Sequence, residues 1–435
     1  MTRFLLICSL AIVAVLRIYT VASAHVTLVS STPAANSHLE APPTQIRLEF
    51  SEPVEAKIAH VVIVHPDGRT DSLAVTGDPH NAYVLFAAPK TLGSGAFRLL
   101  WHVVSADGHP VGGNFRFHIG SGFATDTAPA VPPADRTAST TWGPSVFGAP
   151  TIPAVLRGLG VGSLAALAGL LFFAVTNRAP MDSRPMRVAL WLSIVALLLL
   201  AGHLTTWIIH TSPNHKLSVE WVSTSLSSAV GRMELWRTLL ALPPLWALIL
   251  ARRPLLALIF TLPPLLVSAA VGHSAAFHPA LSVPLKALHL MALAAWIGGL
   301  MWLVVREHTD MRTFANEASR VSTFALSGVV VLGLTGVVQT ALLFKGFSDL
   351  QSAYGFLIFL KVVGLLTLIG FGAYHRYRVM PRVMMGADVS GIFAASLKRE
   401  IAVLWLVVVL GGLLAYVSPP AAGGQQPTTT TETES

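Results

Sequence analysis

The sequence predicts an all-β sandwich or Greek-key barrel followed by an all-α polytopic membrane bundle of about eight transmembrane helices. Three observations support this. The 435 residues are 53% hydrophobic and only 11% charged, residues 25–120 alternate apolar with polar side chains, and long apolar runs follow residue 150. The mean hydropathy of +0.64 is typical of a chain built for a bilayer and argues against a soluble enzyme.

The first 24 residues have the pattern of a secretory signal peptide. Arg3 gives a positive start, residues 4–16 are almost entirely apolar, and Ala22-Ser23-Ala24 is a small-residue cleavage pattern. The apolar run is shorter than the roughly 20 residues of a spanning helix, although an uncleaved anchor is the alternative. Removal of residues 1–24 by cleavage after Ala24 would make His25 the first residue of the mature protein.

Residues 25–120 predict the exported β domain. Short alternating runs are separated by turn signals such as Pro66-Asp67-Gly68, and no segment has a helical period. The alternating apolar positions include Ile46, Leu48 and Phe50, then Phe97, Leu99, Trp101 and Val103, then Phe115, Phe117 and Ile119. About 95 residues suffice for one core.

Two segments lack periodic apolar residues. Residues 121–150 are rich in Pro, Ala and Thr and predict a semi-extended linker. Residues 419–435 predict a disordered polar tail. The single cysteine, Cys8, lies in the signal segment, so no disulfide is expected in the mature protein.

Residues 151–418 predict the eight-helix membrane domain. The third and fourth runs contain Pro243-Pro244 and Pro263-Pro264 and have only Arg252-Arg253 between them, which predicts a tight helical hairpin or kinked helices. The eight apolar runs lie at about 152–176, 187–210, 232–251, 254–272, 285–305, 321–344, 355–374 and 399–417.

The distribution of arginine predicts the orientation. With the β domain exported, the first, third, fifth and seventh connections face the cytoplasm and carry most of the arginines, while the other connections carry little more than Lys216, Lys286 and Lys345. This asymmetry predicts eight spans with both ends outside. The formal charge of +8 is spread among these connections and forms no basic stripe, so no nucleic-acid partner is expected.

Three residues of the mature β domain predict a Cu(II) site. After cleavage, the free α-amine and the imidazole of His25 bind one metal ion together, and Asp107-Gly108-His109 adds a carboxylate and a second imidazole. Such tetragonal nitrogen and oxygen donors suit Cu(II). Asp107 precedes a glycine, where an aspartate is also an ordinary turn residue.

These residues resemble the CopC family of copper-resistance domains. The resemblance covers residues 25–120 and is carried by the His25 start, by Phe50-Ser51-Glu52-Pro53 and above all by the run from Val104 through Asp107-Gly108-His109-Pro110 to Gly113. In that family the matching histidines and aspartate bind Cu(II), which implies the roles of His25, Asp107 and His109. No methionine occurs between His25 and Gly120, so the methionine-rich Cu(I) site of some members is not expected.

The membrane part resembles CopD, which is often fused to CopC. The matching stretches are looser; they are Lys286 to His289, Trp296 to Gly299, Thr335-Gly336, Tyr354-Gly355 with Lys361, Arg399-Glu400 and Pro419-Pro420. The resemblance implies a multi-pass protein of the bacterial plasma membrane, with its N-terminal domain on the periplasmic or extracellular side. It also implies that copper moves inward across this membrane. The implied partners are copper ions, the lipid bilayer and periplasmic or extracellular copper chaperones.

Histidines within the spans predict a copper path. His203, His273 and His289 fall in the outer half of the deduced topology, and polar groups at such positions commonly face an interior path. The copper there could be Cu(I) or Cu(II). Arg237 and Lys361 are expected to snorkel or to pair with Glu234 or a backbone carbonyl. The six histidines elsewhere in the β domain are expected at the surface or between strands.

The leading hypothesis is a copper homeostasis protein, not an enzyme. Its alternatives are a haem-binding or copper-reducing electron-transfer protein, since paired histidines can hold haem, and a copper chaperone or sensor without transport. A copper monooxygenase is disfavoured because Asp107 would fill a coordination position that oxygen chemistry needs open.

Overall fold

The computed structural model describes residues 26–105, 108–120, 151–178, 183–212, 216–272, 278–307, 311–344, 346–384, 390–417 and 419. Within these ranges eight strands come first and helices follow. The strands are β1 (Leu28–Thr32), β2 (His38–Leu39), β3 (Ile46–Phe50), β4 (His60–Val64), β5 (Thr70–Gly77), β6 (Val84–Ala88), β7 (Gly95–Val104) and β8 (Pro110–Ile119).

The eight strands form one sheet in the order β1-β3-β6-β5-β4-β7-β8-β2. All pairs are antiparallel except the short β2, which lies parallel to β8 with His38 beside His118. The longest pairing joins β7 and β8, from Gly95 opposite Ile119 to Val104 opposite Pro110. The Thr32-Pro33 peptide bond is cis.

The sheet curls so that strands far apart in this order face one another. Phe50 on β3 packs edge-on against Trp101 on β7, with ring centroids 5.3 Å apart. The alternating residues of β3, β7 and β8 are buried in this core as the sequence predicts. The apolar faces of both halves are thereby removed from water, which is the main stabilising contribution.

The helices coincide with all eight apolar runs. They are α1 (Thr151–Thr176), α2 (Ser183–Thr211), α3 (Val219–Ser227), α4 (Ala229–Leu239), α5 (Leu242–Trp246), α6 (Pro254–Ala269), α7 (Pro279–Val305), α8 (Met311–Ala341), α9 (Ala353–Tyr374), α10 (Met380–Met384) and α11 (Ser390–Leu414). Single π-helical turns extend α5 over Ala247–Ala251 and join α9 to α10 over His375–Val379.

Six stretches of the described chain are long and apolar enough to cross a membrane: Thr151–Thr176, Arg184–Thr211, Ala229–Ala251, Pro279–Val305, Arg312–Ala341 and Ala353–Arg382. The other two predicted spans, α6 and α11, are not among these six stretches, for different physical reasons. Helix α6 has only 16 residues, and α11 carries Lys398, Arg399 and Glu400.

The two proline pairs have different effects. Pro243 and Pro244 follow the break between α4 and α5, and the chain reverses at Arg252, which has a left-handed backbone, before Pro254 begins α6. This is the predicted tight hairpin. Pro263 and Pro264 lie inside a continuous α6, so they do not interrupt that helix.

Helix α1 lies at the centre of the bundle, packed most extensively against α7 and α2. Gly169 of α1 and Gly298 of α7 meet backbone to backbone, and a methyl group on either would overlap the facing main chain. Close approach through small residues is a common way to pack membrane helices, because dispersion contacts replace the hydrophobic effect there.

Candidate metal site at the junction of the sheet and the helices

His109 lies in the tight loop between β7 and β8. The Ser105 backbone N–H donates to the His109 carbonyl at 3.0 Å, and the Gly108 N–H donates to the Ser105 carbonyl at 2.9 Å. Gly108 has a positive φ of 98°, a conformation that favours glycine. The loop holds His109 in a buried position, 5% exposed.

The His109 side chain contacts the end of the last helix of the bundle. Its Nε2 lies 2.7 Å from the Ala415 carbonyl oxygen, and its ring meets Tyr416 edge-on with centroids 4.6 Å apart. A carbonyl only accepts, so Nε2 carries the hydrogen and donates. In the neutral ring, Nδ1 therefore has the lone pair that can bind a metal.

An apolar interface surrounds this contact. Trp207 of α2 donates from Nε1 to the Gly108 carbonyl at 2.7 Å. The His60 ring of β4 lies 5.0 Å from the Trp221 ring of α3, and burial lowers the pKa of His60 below its usual value. The buried apolar residues of the interface are Ile58, Val104, Trp207, Ile208, Trp221 and Val230.

Polar contacts reinforce the interface at its edge. Glu55 accepts from the Ala229 backbone N–H at 3.3 Å, at the first residue of α4. A carboxylate at a helix N-terminus is electrostatically favourable. The β domain therefore docks on α3 and on the ends of α2, α4 and α11 through both apolar and polar contacts.

A buried polar network begins directly behind Tyr416. The Tyr416 hydroxyl lies 2.6 Å from His203 Nε2. His203 Nδ1 lies 2.9 Å from Arg237 Nη2 and 3.1 Å from Glu234 Oε2, and Arg237 and Glu234 form an ion pair. Both ring nitrogens of His203 are thus within hydrogen-bond distance of protein groups, so a metal would have to displace one of them.

His289 lies in α7, within electrostatic reach of Lys286 and Lys361. Its Nδ1 is 2.8 Å from the Thr335 hydroxyl oxygen, while that hydroxyl donates to the Val331 carbonyl at 2.6 Å. The hydroxyl hydrogen is used, so His289 Nδ1 donates and Nε2 carries the lone pair in the neutral ring.

The structure places three of the six residues predicted to bind copper. His109, His203 and His289 are described above, whereas His25, Asp107 and His273 lie outside the described residues. Within the described part of the chain, no three or more His, Cys, Asp or Glu side chains converge as a metal cluster. The complete ligand set therefore stays a prediction.

Other histidines of the β domain have structural contacts, as expected. His65 pairs with Asp71 at 2.9 Å, and His38 stacks on His118 with ring centroids 5.0 Å apart. The expected pairing of Arg237 with Glu234 is confirmed.

Sequence reasoning missed Tyr416 and Arg157, and it quoted Thr335 for the CopD resemblance without predicting its contact with His289. Arg157, a charge within an apolar helix, was a signal that could have been read. Tyr416 sits next to the predicted tail, and no local pattern marks it.

Two family models match the chain in different regions. The model described as CopC domain matches residues 28–120, which are the eight strands. The model described as Copper resistance protein D matches residues 315–414, which include most of α8 and all of α9, α10 and α11.

Three relatives cover different parts of the chain. Copper transport protein CutJ of Bacillus subtilis (strain 168) is 26% identical over 389 residues, 81% of this chain and 68% of that protein. Inner membrane protein YebZ of Escherichia coli (strain K12) is 29% identical over 250 residues, 53% of this chain and 82% of that protein. Copper resistance protein C of Pseudomonas syringae pv. tomato is 35% identical over 107 residues, 22% of this chain and 82% of that protein.

Among solved structures, the crystal structure of CopC from Methylosinus trichosporium OB3b aligns with 27% identity and a TM-score of 0.22, covering 22% of this chain and 94% of that one. The apolar helices and the membrane relatives make this chain a multi-pass membrane protein. Because the strands match CopC and the later helices match CopD within one polypeptide, the chain belongs to the CopC and CopD copper-resistance family, as a fusion of the two domains.

Proposed function

We propose that this protein captures Cu(II) outside the cytoplasm and passes copper into its helical bundle for import. The capture site consists of the His25 amine and imidazole, the Asp107 carboxylate and the His109 imidazole. This donor set suits Cu(II). The copper names of CutJ and of the copper resistance proteins agree with this cargo.

One observation carries the proposal: His109 is a residue of the β domain whose side chain is hydrogen-bonded to the bundle. Its Nε2 donates to Ala415 at 2.7 Å, which orients Nδ1 for a metal in the way that outer hydrogen bonds orient metal-binding histidines. A copper ion bound there needs no diffusion to reach the helices.

The route inward begins at Tyr416 and His203. Their 2.6 Å contact lies directly behind the His109 ring, and His289 and His273 are proposed as later ligands. Whether the bundle carries Cu(I) or Cu(II) is an outcome of the transport experiment. Periplasmic copper chaperones are proposed as donors to the capture site.

We also propose the finer architecture. The curled sheet closes as a Greek-key barrel, and α6 and α11 complete eight spans with both termini outside. The arginine-rich connections then face the cytoplasm, as the positive-inside rule requires. This orientation places the capture site in the periplasm or the extracellular space.

We propose no catalytic role. Asp107 and the three nitrogen donors would fill the tetragonal positions of Cu(II), leaving no equatorial position for oxygen chemistry.

Haem binding is less well supported, because both ring nitrogens of His203 are engaged in contacts with protein groups. Haem absorbance in the purified protein would contradict this assignment.

Copper uptake into proteoliposomes tests the proposal. His109→Ala should weaken Cu(II) capture at least about tenfold, since even changes to outer-shell partners of metal ligands cost 10–100-fold, and should lower uptake in parallel. The matched control is His118→Ala, which changes a histidine that stacks on His38. His289→Ala should leave capture intact and lower uptake, and His278→Ala, an exposed histidine just before α7, is its control.

Processing of the N-terminus provides a second test. Replacing Ala24 to block cleavage should abolish tight Cu(II) capture, because the His25 amine would become an amide that does not bind as an amine does. Equal Cu(II) affinity of the processed and unprocessed proteins would contradict the site. So would mass spectrometry that places the mature start elsewhere.

A further inference from the structure

Four basic side chains lie inside the bundle near its β-domain end. We call Arg157 of α1, Arg237 of α4, Lys286 of α7 and Lys361 of α9 the basic cluster. Each lies about two turns from the start of its helix. Arg157 and Arg237 are buried, and Lys286 and Lys361 are partly buried. Basic residues in spans usually reach outward to the interface, and these do not.

The members of the cluster converge. Arg157 Nη2 donates to the Val271 carbonyl at 2.9 Å, and Lys286 Nζ donates to the same oxygen. Arg157, Arg237 and Lys361 all lie within electrostatic reach of Lys286. Four basic groups on four helices therefore lie around Lys286.

Their charge is not balanced by the protein groups that are described. Glu234 is the carboxylate of the described residues that acts on this region, and it is already paired with Arg237 and adjacent to His203. In addition, Arg237 Nε and Nη1 are buried and have no hydrogen-bond partner among the described residues. Among the described residues, one carboxylate thus faces four basic side chains, and two Arg237 donors have no acceptor.

An excess of buried positive charge is costly unless a counter-ion or hydrogen bonds compensate it. Membrane interiors increase that cost, so charged groups there are commonly paired or functional. We propose that the basic cluster binds a small inorganic anion of the size of chloride. The convergence of Arg157 and Lys286 on a single carbonyl indicates a compact site rather than one for a bulky ligand.

This site goes beyond the proposed copper transfer and has a consequence for it. Arg237 contacts His203, and His203 contacts Tyr416 beside His109. A copper cation released at His109 would be repelled by the cluster. An anion held between the basic groups offsets that repulsion at the entrance of the bundle.

Thermal unfolding of the copper-free protein in lipid nanodiscs tests the anion site. Chloride is added in exchange for gluconate at constant ionic strength, and tryptophan fluorescence reports the unfolding temperature. In the wild type this temperature should rise and saturate, because a ligand that binds only the folded state stabilises it. The proposal would be overturned if the unfolding temperature of the wild type did not change with chloride up to about 0.15 M, a physiological ionic strength. Uncharged lysines would then explain the cluster.

Variants locate the site. Arg157→Gln and Lys286→Gln should each raise the apparent chloride dissociation constant at least about tenfold, as expected for losing one charge-assisted hydrogen bond. Arg320→Gln, which changes an exposed arginine hydrogen-bonded to Asn177, should respond to chloride like the wild type. A normal chloride response in both cluster variants would place the anion elsewhere and overturn the assignment.

If these variants fail to fold, bromide located by anomalous scattering in crystals of the wild type decides the same question. Copper is absent throughout, so failure of copper transfer does not affect the result.

Discussion

His109 and Ala415 are 306 residues apart in the chain and are joined by a hydrogen bond of 2.7 Å from the imidazole Nε2 to the carbonyl oxygen. The loop that presents a proposed copper ligand is thus oriented by the last helix of the bundle. Copper capture and the packing of the two regions should consequently respond to the same substitutions.

Trp207→Phe should loosen the docked loop. The change removes the Nε1 donor that binds the Gly108 carbonyl at 2.7 Å and leaves that buried carbonyl with one fewer donor, at a cost of about 1–3 kcal/mol. Hydrogen exchange of the peptides around residues 105–110 should become faster. Trp191→Phe on the same helix changes an exposed indole and should not alter it. Equal exchange in both variants would count against this hydrogen bond as the contact that holds the loop.

Gly108→Ala should weaken both loop stability and Cu(II) capture. Its φ of 98° is unfavourable for a residue with a Cβ, and the added methyl group would lie 3.1 Å from Val230 Cγ1 and 3.4 Å from Trp207 Nε1. The backbone cost alone is about 1–2 kcal/mol. Calorimetric Cu(II) titration and thermal unfolding measure the two effects. Gly93→Ala is the matched control, because a methyl group there meets no atom within 4 Å.

Tyr416→Phe should separate capture from transfer. The ring that packs on His109 is kept, so Cu(II) affinity should stay within about twofold of wild type, while the hydroxyl bonded to His203 at 2.6 Å is lost. Copper uptake at saturating copper should fall at least about tenfold, which corresponds to about 1.4 kcal/mol in the barrier. Tyr377→Phe, at a highly exposed position, should transport normally. An uptake rate equal to wild type in Tyr416→Phe would remove the hydroxyl from the route.

Docking should depend on pH through His60. Burial beside Trp221 lowers the pKa of His60 below its usual value of 6.5, so the docked state binds fewer protons than the undocked state. Its stability is therefore complete above pH 6.5 and declines as the pH falls through that value toward the lowered pKa.

The His60 titration can be followed by NMR. Trp221→Ala exposes the imidazole and should move its pKa back toward 6.5, whereas Trp191→Ala should not. A pKa of His60 that is the same in wild type and Trp221→Ala would show that the indole is not the source of the burial.

The sequence was sufficient for the elements whose signal is local. Ile46, Leu48 and Phe50 alternate with polar residues because one face of β3 is buried, and period-two burial is visible in any single strand. The apolar runs are equally local, since the length needed to cross a bilayer is a property of one segment. The ends of the helices were less accurate, with α7 beginning at Pro279 rather than near residue 285.

What the sequence could not supply depends on contacts between distant segments. Helix α3 has only nine residues and was not predicted, yet its Trp221 contacts the β domain. Neither Tyr416 nor the interface of Trp207 with Gly108 follows a periodic pattern, because surface complementarity between two regions has no local period. The resemblance to CopC and CopD predicts the two domains but not the residues through which they contact each other.

The contact of Gly169 with Gly298 sets a limit on how the bundle can rearrange. The two main chains touch here without intervening side chains. Neither α1 nor α7 can therefore slide along the other without a steric clash. Helices α8 and α9 bury far less of their surface in the bundle, so they have room to tilt against this pivot. Any helix movement that the proposed copper transfer requires therefore falls to these peripheral helices. Alanine at Gly169 or Gly298 should force α1 and α7 apart and lower copper uptake, while Cu(II) capture by the β domain stays intact.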